Sequence, residues 1–158
     1  MKKLIILLLI SLSLVGCKKE VVSDEFTYSH QILERDFLPI VEGTLNGKKA
    51  FFLLDTGASL SILDLKSAAN YNVRIGITED MGIGGYGGVT SDVSSLSNVD
   101  LRLGSERMKD NFSGKDIQYL IQAIRKNTGH SIVGIIGNNN IIASNLILDF
   151  ENNVILKR

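Results

Sequence analysis

The chain has 158 residues, 44% of them hydrophobic, with 15 Gly, one Pro and no Trp, which is enough for one globular domain with its own core and too little for two ordinary ones. Its 17 basic residues are balanced by 17 acidic ones, and without a basic surplus to neutralise phosphates the composition argues against nucleic acid as a partner. A single Cys rules out a disulfide within the chain, so the fold must be held by packing.

In chain order, Met1-Lys2-Lys3 is a short positive segment, and residues 4–15 form an apolar run broken only by Ser11 and Ser13. A membrane span needs about 20 apolar residues, so this run is too short to cross and reads as the hydrophobic region of a signal peptide. It ends in Leu14-Val15-Gly16-Cys17, which resembles the lipobox of bacterial lipoproteins. That resemblance implies cleavage before Cys17 and a lipid on its thiol; the alternative is a free thiol that happens to follow a signal peptide. Loss of Lys2 and Lys3 leaves two more acidic than basic residues. Residues 18–29 are polar, charged and without period, as in a flexible tether. The expected organisation is a signal peptide over 1–16, a tether over 17–30 and one domain over 31–158. Lys18, rather than Asp, follows the cysteine, which in lipoproteins of well-studied Gram-negative bacteria favours the outer membrane. The expected location is therefore the bacterial cell envelope, lipid-anchored and facing the periplasm or in the outer membrane.

Residues 39–45 and 48–54 are strand candidates joined by Asn46-Gly47, a strong hairpin signal because a type I′ turn needs positive φ at both central positions. Phe51-Phe52-Leu53-Leu54 is continuously apolar, as expected of a strand covered on both faces. Residues 64–69 predict a short helix capped by Asp64. After the glycine-rich stretch 82–88, residues 89–103 are strand-like. Ile117, Leu120, Ile121 and Ile124 fall at i, i+3, i+4 and i+7, predicting a helix over 117–126 with Asp116 as a cap and Gly129 as a stop. Residues 131–136, 145–150 and 154–156 read as strands, with an Asn run after Gly137 and a Glu-Asn-Asn turn between the last two. Short strands and two helices, with no repeat, give a mainly β domain.

The chemistry-bearing candidate is Asp55, at the end of the apolar strand and before Thr56-Gly57. A lone Asp there is ordinarily a turn or cap residue. Here the triplet continues as Ala58-Ser59 and is matched downstream by Val133-Gly134-Ile135-Ile136-Gly137-Asn138-Asn139. The pair resembles the retropepsin-like aspartic proteases, over most of residues 37–156. The resemblance implies a mainly β, single-lobe acid protease fold, closed and barrel-like, with one or two short helices. It makes Asp55 the catalytic carboxylate, with Thr56 steadying the loop and Gly57 letting backbone N–H groups approach it. Ala58, Ser59, Ile135, Ile136 and Gly137 then support the loop. Residues 146–150 and 154–156 also resemble bacterial members.

Peptide hydrolysis of this kind needs one carboxylate to take a proton from water and a second carboxyl group to protonate the carbonyl oxygen. Two carboxyls about 3 Å apart cannot both ionise, so they share a proton. Asp149 is the best-placed second acid within the chain, but it lacks a following Thr-Gly and precedes a hairpin turn. The economical expectation is a homodimer contributing one Asp55 from each copy, aided by anchoring both to one membrane. Viral members brace their dimer with acidic residues after the triplet and an Arg after the later Gly; here Ser59-Leu60 and Asn138 stand in those places.

Gly82-x-Gly84-x-x-Gly87, with Asp100 beyond it, formally matches a dinucleotide fingerprint. That mechanism needs a strand before the glycines and a helix after them, and the residues on either side predict neither. The stretch instead resembles the flap that closes over substrate in these proteases, with Gly84, Gly85, Gly87 and Gly88 in a hairpin tip and Tyr86 lining the cleft; a loop without a role is the alternative. His30 and His130 lack partners at metal-ligand spacing, and no Gly-x-Ser-x-Gly elbow accompanies them; both read as surface residues. No metal or cofactor is expected. The reading is an aspartic endopeptidase acting on polypeptide; the alternative is an inactive envelope binding module that keeps the fold.

Overall fold

A computed structural model describes residues 26, 28–34, 38–85 and 88–157. Cys17, the signal segment and most of the tether lie outside these residues, as do Tyr86 and Gly87.

The Asn46-Gly47 turn forms as its sequence requires, with φ of +50° and +78°. It joins β2 (Ile40–Leu45) to β3 (Lys48–Asp55), paired antiparallel with Val41 opposite Phe52. β3 is also paired in parallel with β10 (Ile132–Gly137), whose last residue, Gly137, stands opposite Asp55. The continuous apolar run of β3 is explained by its two faces. Ala50, Phe52 and Leu54 enter the main core with Val41, Leu45, Leu63 and Ile136. Leu53 and the half-buried Phe51 face the other way, into a second cluster beneath α2 (Gln118–Thr128), where Ile121 and Ile124 meet Ile40 and Ile132.

α2 lies where its apolar spacing predicts and stops at Gly129, whose φ is +77°. Its start is held by two aspartates: Asp116 Oδ1 accepts from Gln118 N (3.0 Å) and Asp64 Oδ1 from Ile117 N (3.1 Å). α1 (Leu65–Ala68) follows β4 (Ser61–Asp64) and is capped by Asp64 as expected; a 3₁₀ turn, Ala69–Tyr71, continues it.

The remaining elements are β1 (Tyr28–Glu34), β5 (Arg74–Gly85), β6 (Gly88–Ser97), β7 (Leu101–Leu103), β8 (Glu106–Arg107), β9 (Phe112–Lys115), α3 (Asn138–Ala143), β11 (Leu146–Asp149) and β12 (Val154–Lys157). The strands follow one path, β11-β12-β1-β2-β3-β10-β4-β9-β6-β5, with β7 and β8 attached at β2. The path has two ends, β11 and β5, that do not pair with each other. The expected closed barrel is thus corrected to a single open sheet that wraps its core.

Three further departures have physical causes. The Asn run after Gly137 begins a third helix, α3, of six residues. Asparagine is a poor helix former, and this turn is held in place by burial of its Asn140 and Ile141 and by the bonds of Asn140 to Ser61 and Asp110. β5 occupies the Glu79-Asp80 stretch that carries no strand propensity, because β6 pairs with it along nearly its whole length. The two histidines are half-buried rather than surface residues. His30 Nε2 lies 2.6 Å from the carbonyl oxygen of Glu42, and the His130 ring packs at 4.8 Å against Phe51.

Candidate active site

Asp55 is the last residue of β3, where the sheet stops and the chain turns out. Its side chain is half-buried, while Thr56 and Gly57 are exposed. The turn is closed locally: Gly57 N donates to Asp55 Oδ1 (2.9 Å), and Ala58 N to the Asp55 carbonyl (3.2 Å). This is the ordinary Asp-turn geometry anticipated for the triplet. It uses one carboxylate oxygen; Oδ2 has no hydrogen-bond partner among the described residues, nor does the Thr56 hydroxyl. Asp55 belongs to no ion pair among the described residues.

The segment around Gly137 lies against this turn. Gly137 is in register with Asp55, and Asn138 N donates to the Ala58 carbonyl at 2.8 Å. A Cβ on Gly137 would stand 2.5 Å from the carbonyl oxygen of Leu60 and 2.9 Å from that of Ala58. The backbone of residues 58–60 crosses where a side chain would be, which is the physical reason for glycine at this position. Ile136 is buried in the main core opposite Leu54, Ile135 is half-buried, and Ser59 is exposed. The fold therefore brings together Asp55, Thr56, Gly57 and Ala58 with Ile136 and Gly137. Asn138 contributes its backbone N–H to the loop.

Two residues around the site carry no functional signal in the sequence, and a third reaches further than its sequence implies. Ser61 is completely buried; its hydroxyl donates to Asn139 Oδ1 (2.8 Å) and accepts from Gly137 N (2.9 Å) and Asn140 Nδ2 (3.0 Å). Asn140, also fully buried, accepts from Asp110 N through Oδ1 (2.9 Å). Asp64 was expected as a cap for α1 and proves to reach further. Fully buried, it accepts from Ser67 N and Ser67 Oγ (both 2.8 Å), Ile117 N (3.1 Å) and Gln118 Nε2 (2.6 Å). The only sequence signal for Ser61 is a hydroxyl between Leu60 and Ile62 in an otherwise apolar run, and for Asn140 there is none.

Asp149 is committed elsewhere. It ends β11, at one end of the strand path and four positions from β3, and both its oxygens accept from Asn152, at 2.9 Å from the backbone and 2.7 Å from the side-chain amide. Those bonds, the side-chain amide foremost, hold its carboxyl below the ordinary aspartate value.

Of the proposed flap, Gly84, Gly85 and Gly88 lie in the β5–β6 hairpin, where Gly85 pairs with Gly88 as the last rung; Tyr86 and Gly87 are outside the described residues. A strand does precede the glycines, contrary to the sequence expectation, but a strand, β6, also follows them. The helix N-terminus that a dinucleotide site needs is not there. Among the described residues no group of three or more His, Cys, Asp or Glu is placed to hold a metal ion. Cavities of about 390, 260 and 440 Å³ lie elsewhere on the surface, and none has Asp55 in its wall.

Residues 41–139, spanning both halves of this site, match the family model described as aspartyl protease. No curated protein sequence matches the chain. Among solved structures, the retroviral protease-like domain of Ddi1 from Leishmania major superposes with a TM-score of 0.50 at 14% identity, covering 76% of this chain and 92% of that one. The EIAV protease, solved with an inhibitor, gives 0.46 at 25% identity over 73% and 96% of the two chains. A retropepsin-like aspartic protease from Rickettsia conorii gives 0.48 at 12% over 82% and 89%.

Proposed function

From the premise that this chain belongs to the aspartyl protease family and has its retropepsin-like fold, we propose that it is an aspartic endopeptidase, active as a homodimer in which two copies of Asp55 face each other. The observation that carries this reading is Asp55 itself: a half-buried carboxylate at the mouth of a fixed turn, with one oxygen held by Gly57 N and the other without a partner among the described residues. The exposed Thr56 and Gly57 beside it suit a surface that meets a second copy.

In that dimer the two carboxyls share one proton. The ionised member takes a proton from water as the water oxygen attacks the peptide carbonyl carbon; the protonated member gives its proton to the carbonyl oxygen. The resulting diol collapses with cleavage of the C–N bond, and a proton passes to the departing amine. Gly57 N keeps Asp55 Oδ1 pointed along one direction, so the pair need not reorganise when charge moves. Cys17 carries the lipid that anchors the chain in the bacterial envelope, and the tether ends before Tyr28 and Ser29, which the sequence places in it and which pair in β1 with β12. Two anchored copies share one surface, which raises their effective concentration and offsets the missing arginine brace.

The test is hydrolysis of peptide substrates by the purified mature chain and by Asp55→Asn, with oligomeric state measured alongside. Cleavage by the wild type alone, from a dimer, is the expected result. Equal cleavage by both overturns the reading, and a strict monomer without cleavage leaves a binding module on the same fold.

A further inference from the structure

Gly137 and Asn138 touch the active-site turn at three points spaced three residues apart. The sheet register sets Gly137 against Asp55, Asn138 N holds the Ala58 carbonyl, and Gly137 N holds the Ser61 hydroxyl. The third point differs from the first two because it is made by a side chain. Ser61 is completely buried, and its hydroxyl is saturated, with its one proton on Asn139 Oδ1 and both lone pairs occupied by Gly137 N and Asn140 Nδ2. Asn140 extends the arrangement to the loop after β8, accepting from Asp110 N. A buried hydroxyl and a buried amide are costly to place in a core unless fully paired. Apolar side chains fill the neighbouring positions Ile62, Leu63, Ile136 and Ile141, so packing alone does not call for them.

We propose that Ser61 and Asn140 are positioning residues for Asp55. They fix the far end of the 55–61 turn to Gly137, and thereby the direction in which the Asp55 carboxyl is presented to its counterpart. The proposal rests on the reading of Asp55 as half of a shared-proton pair. Such a pair works over a narrow range of separations, so a shift of the turn by about 1 Å acts on the chemical step more than on substrate binding, at about 10²-fold.

The experiment compares Ser61→Ala, Ser61→Thr and Asn139→Ala with Ile124→Ala, a core truncation on the buried face of α2 that lowers thermal stability without touching the turn. Ser61→Ala is expected to lower kcat about 10²-fold with KM changed less than about threefold, and Ser61→Thr, which keeps the hydroxyl, to restore most of it. Asn139→Ala removes the acceptor of the Ser61 proton, together with the Asn139 Nδ2 bond to the Asn111 carbonyl (3.0 Å), and should cost about fivefold in kcat. Wild-type kcat in a folded Ser61→Ala, or an equal loss in the Ile124→Ala control, overturns the proposal. Should Ser61→Ala fail to fold, an unchanged kcat in Asn139→Ala overturns it instead. Hydrogen exchange at Ala58 N and Asn138 N separates this proposal from the protease reading, since it needs no activity. Exchange about tenfold faster in Asn139→Ala, with α2 unaffected, supports the clamp, and equal rates refute it even if the wild type cleaves nothing.

Discussion

Asp55 and Asp64 bracket the same short passage of chain, and nearly everything about their surroundings differs. Asp64, at the end of β4, is fully buried and accepts four hydrogen bonds that tie α1 and the start of α2 to the sheet. Asp55, at the end of β3, is half-buried and accepts one, from two residues further along its own turn. A carboxyl group saturated by four donors is a structural joint, with no acceptor capacity left for a substrate or a water. One that is held by a single backbone N–H keeps its orientation while leaving an oxygen free for chemistry. The pattern of partners, more than burial itself, separates the structural joint from the proposed catalytic group.

The comparison can be broken most directly at Asp55. Asp55→Asn keeps the acceptor for Gly57 N and should leave thermal stability within about 0.5 kcal/mol. Peptidase activity should fall by about 10³-fold or more, since an amide cannot take or share the proton. Thermal melting and a peptide-cleavage assay on one preparation check both halves. Asp64→Ala is expected to behave in the opposite sense. It orphans Ile117 N and Gln118 Nε2 in a buried site and should cost about 3 kcal/mol in urea unfolding, with kcat in the folded fraction near wild type. A strong kcat loss in folded Asp64→Ala would mean that the joint also serves the site.

A smaller effect is expected at Gly137, where the site and the scaffold meet. Gly137→Ala places a Cβ within 2.5 Å of a backbone carbonyl oxygen, so residues 58–60 must move; about 2 kcal/mol of stability and a loss of activity are expected together. Activity without stability loss, or the reverse, would show that the turn and the sheet are less tightly joined than their geometry indicates.

The smallest effect belongs to two carboxyls at the surface, the half-buried Asp149 and the exposed Asp116. Asp149 is held below the ordinary aspartate value by the Asn152 side chain and backbone. Asp116 is lowered likewise, by Gln118 N and then Lys66. A depressed folded value means that stability is fully present above the unfolded aspartate range, roughly pH 4, and is lost as pH falls through the folded value. The melting-temperature difference between wild type and Asp149→Asn should thus be small at pH 7 and vanish by about pH 2. A difference that persists at the acid end would assign it to something other than ionisation.

Several parts of this were legible in the residues. The Asn46-Gly47 hairpin, the helix from Ile117 and its Gly129 stop, and the doubly covered β3 run all follow from local rules of turn chemistry and periodicity. The association of the Asp55 and Gly137 motifs is legible in the residues, and the parallel register sets Gly137 opposite Asp55. α3 is not legible in the residues, because nothing local makes Asn138-Asn139-Asn140 helical; partners far away in sequence do. Nor is β5, whose polar stretch is a strand only while β6 lies beside it, nor the open sheet edge, because closure depends on the ends of the strand path.

The sequence by itself determined the family, the position of the carboxylate and the turn that presents it, because those depend on residues adjacent in the chain and on a motif of fixed spacing. Only the tertiary structure distinguished Asp55 from Asp64 and brought out Ser61 and Asn140. Whether a polar group is saturated or left free is decided by donors that folding brings from 50 to 80 positions away, and no local pattern records them.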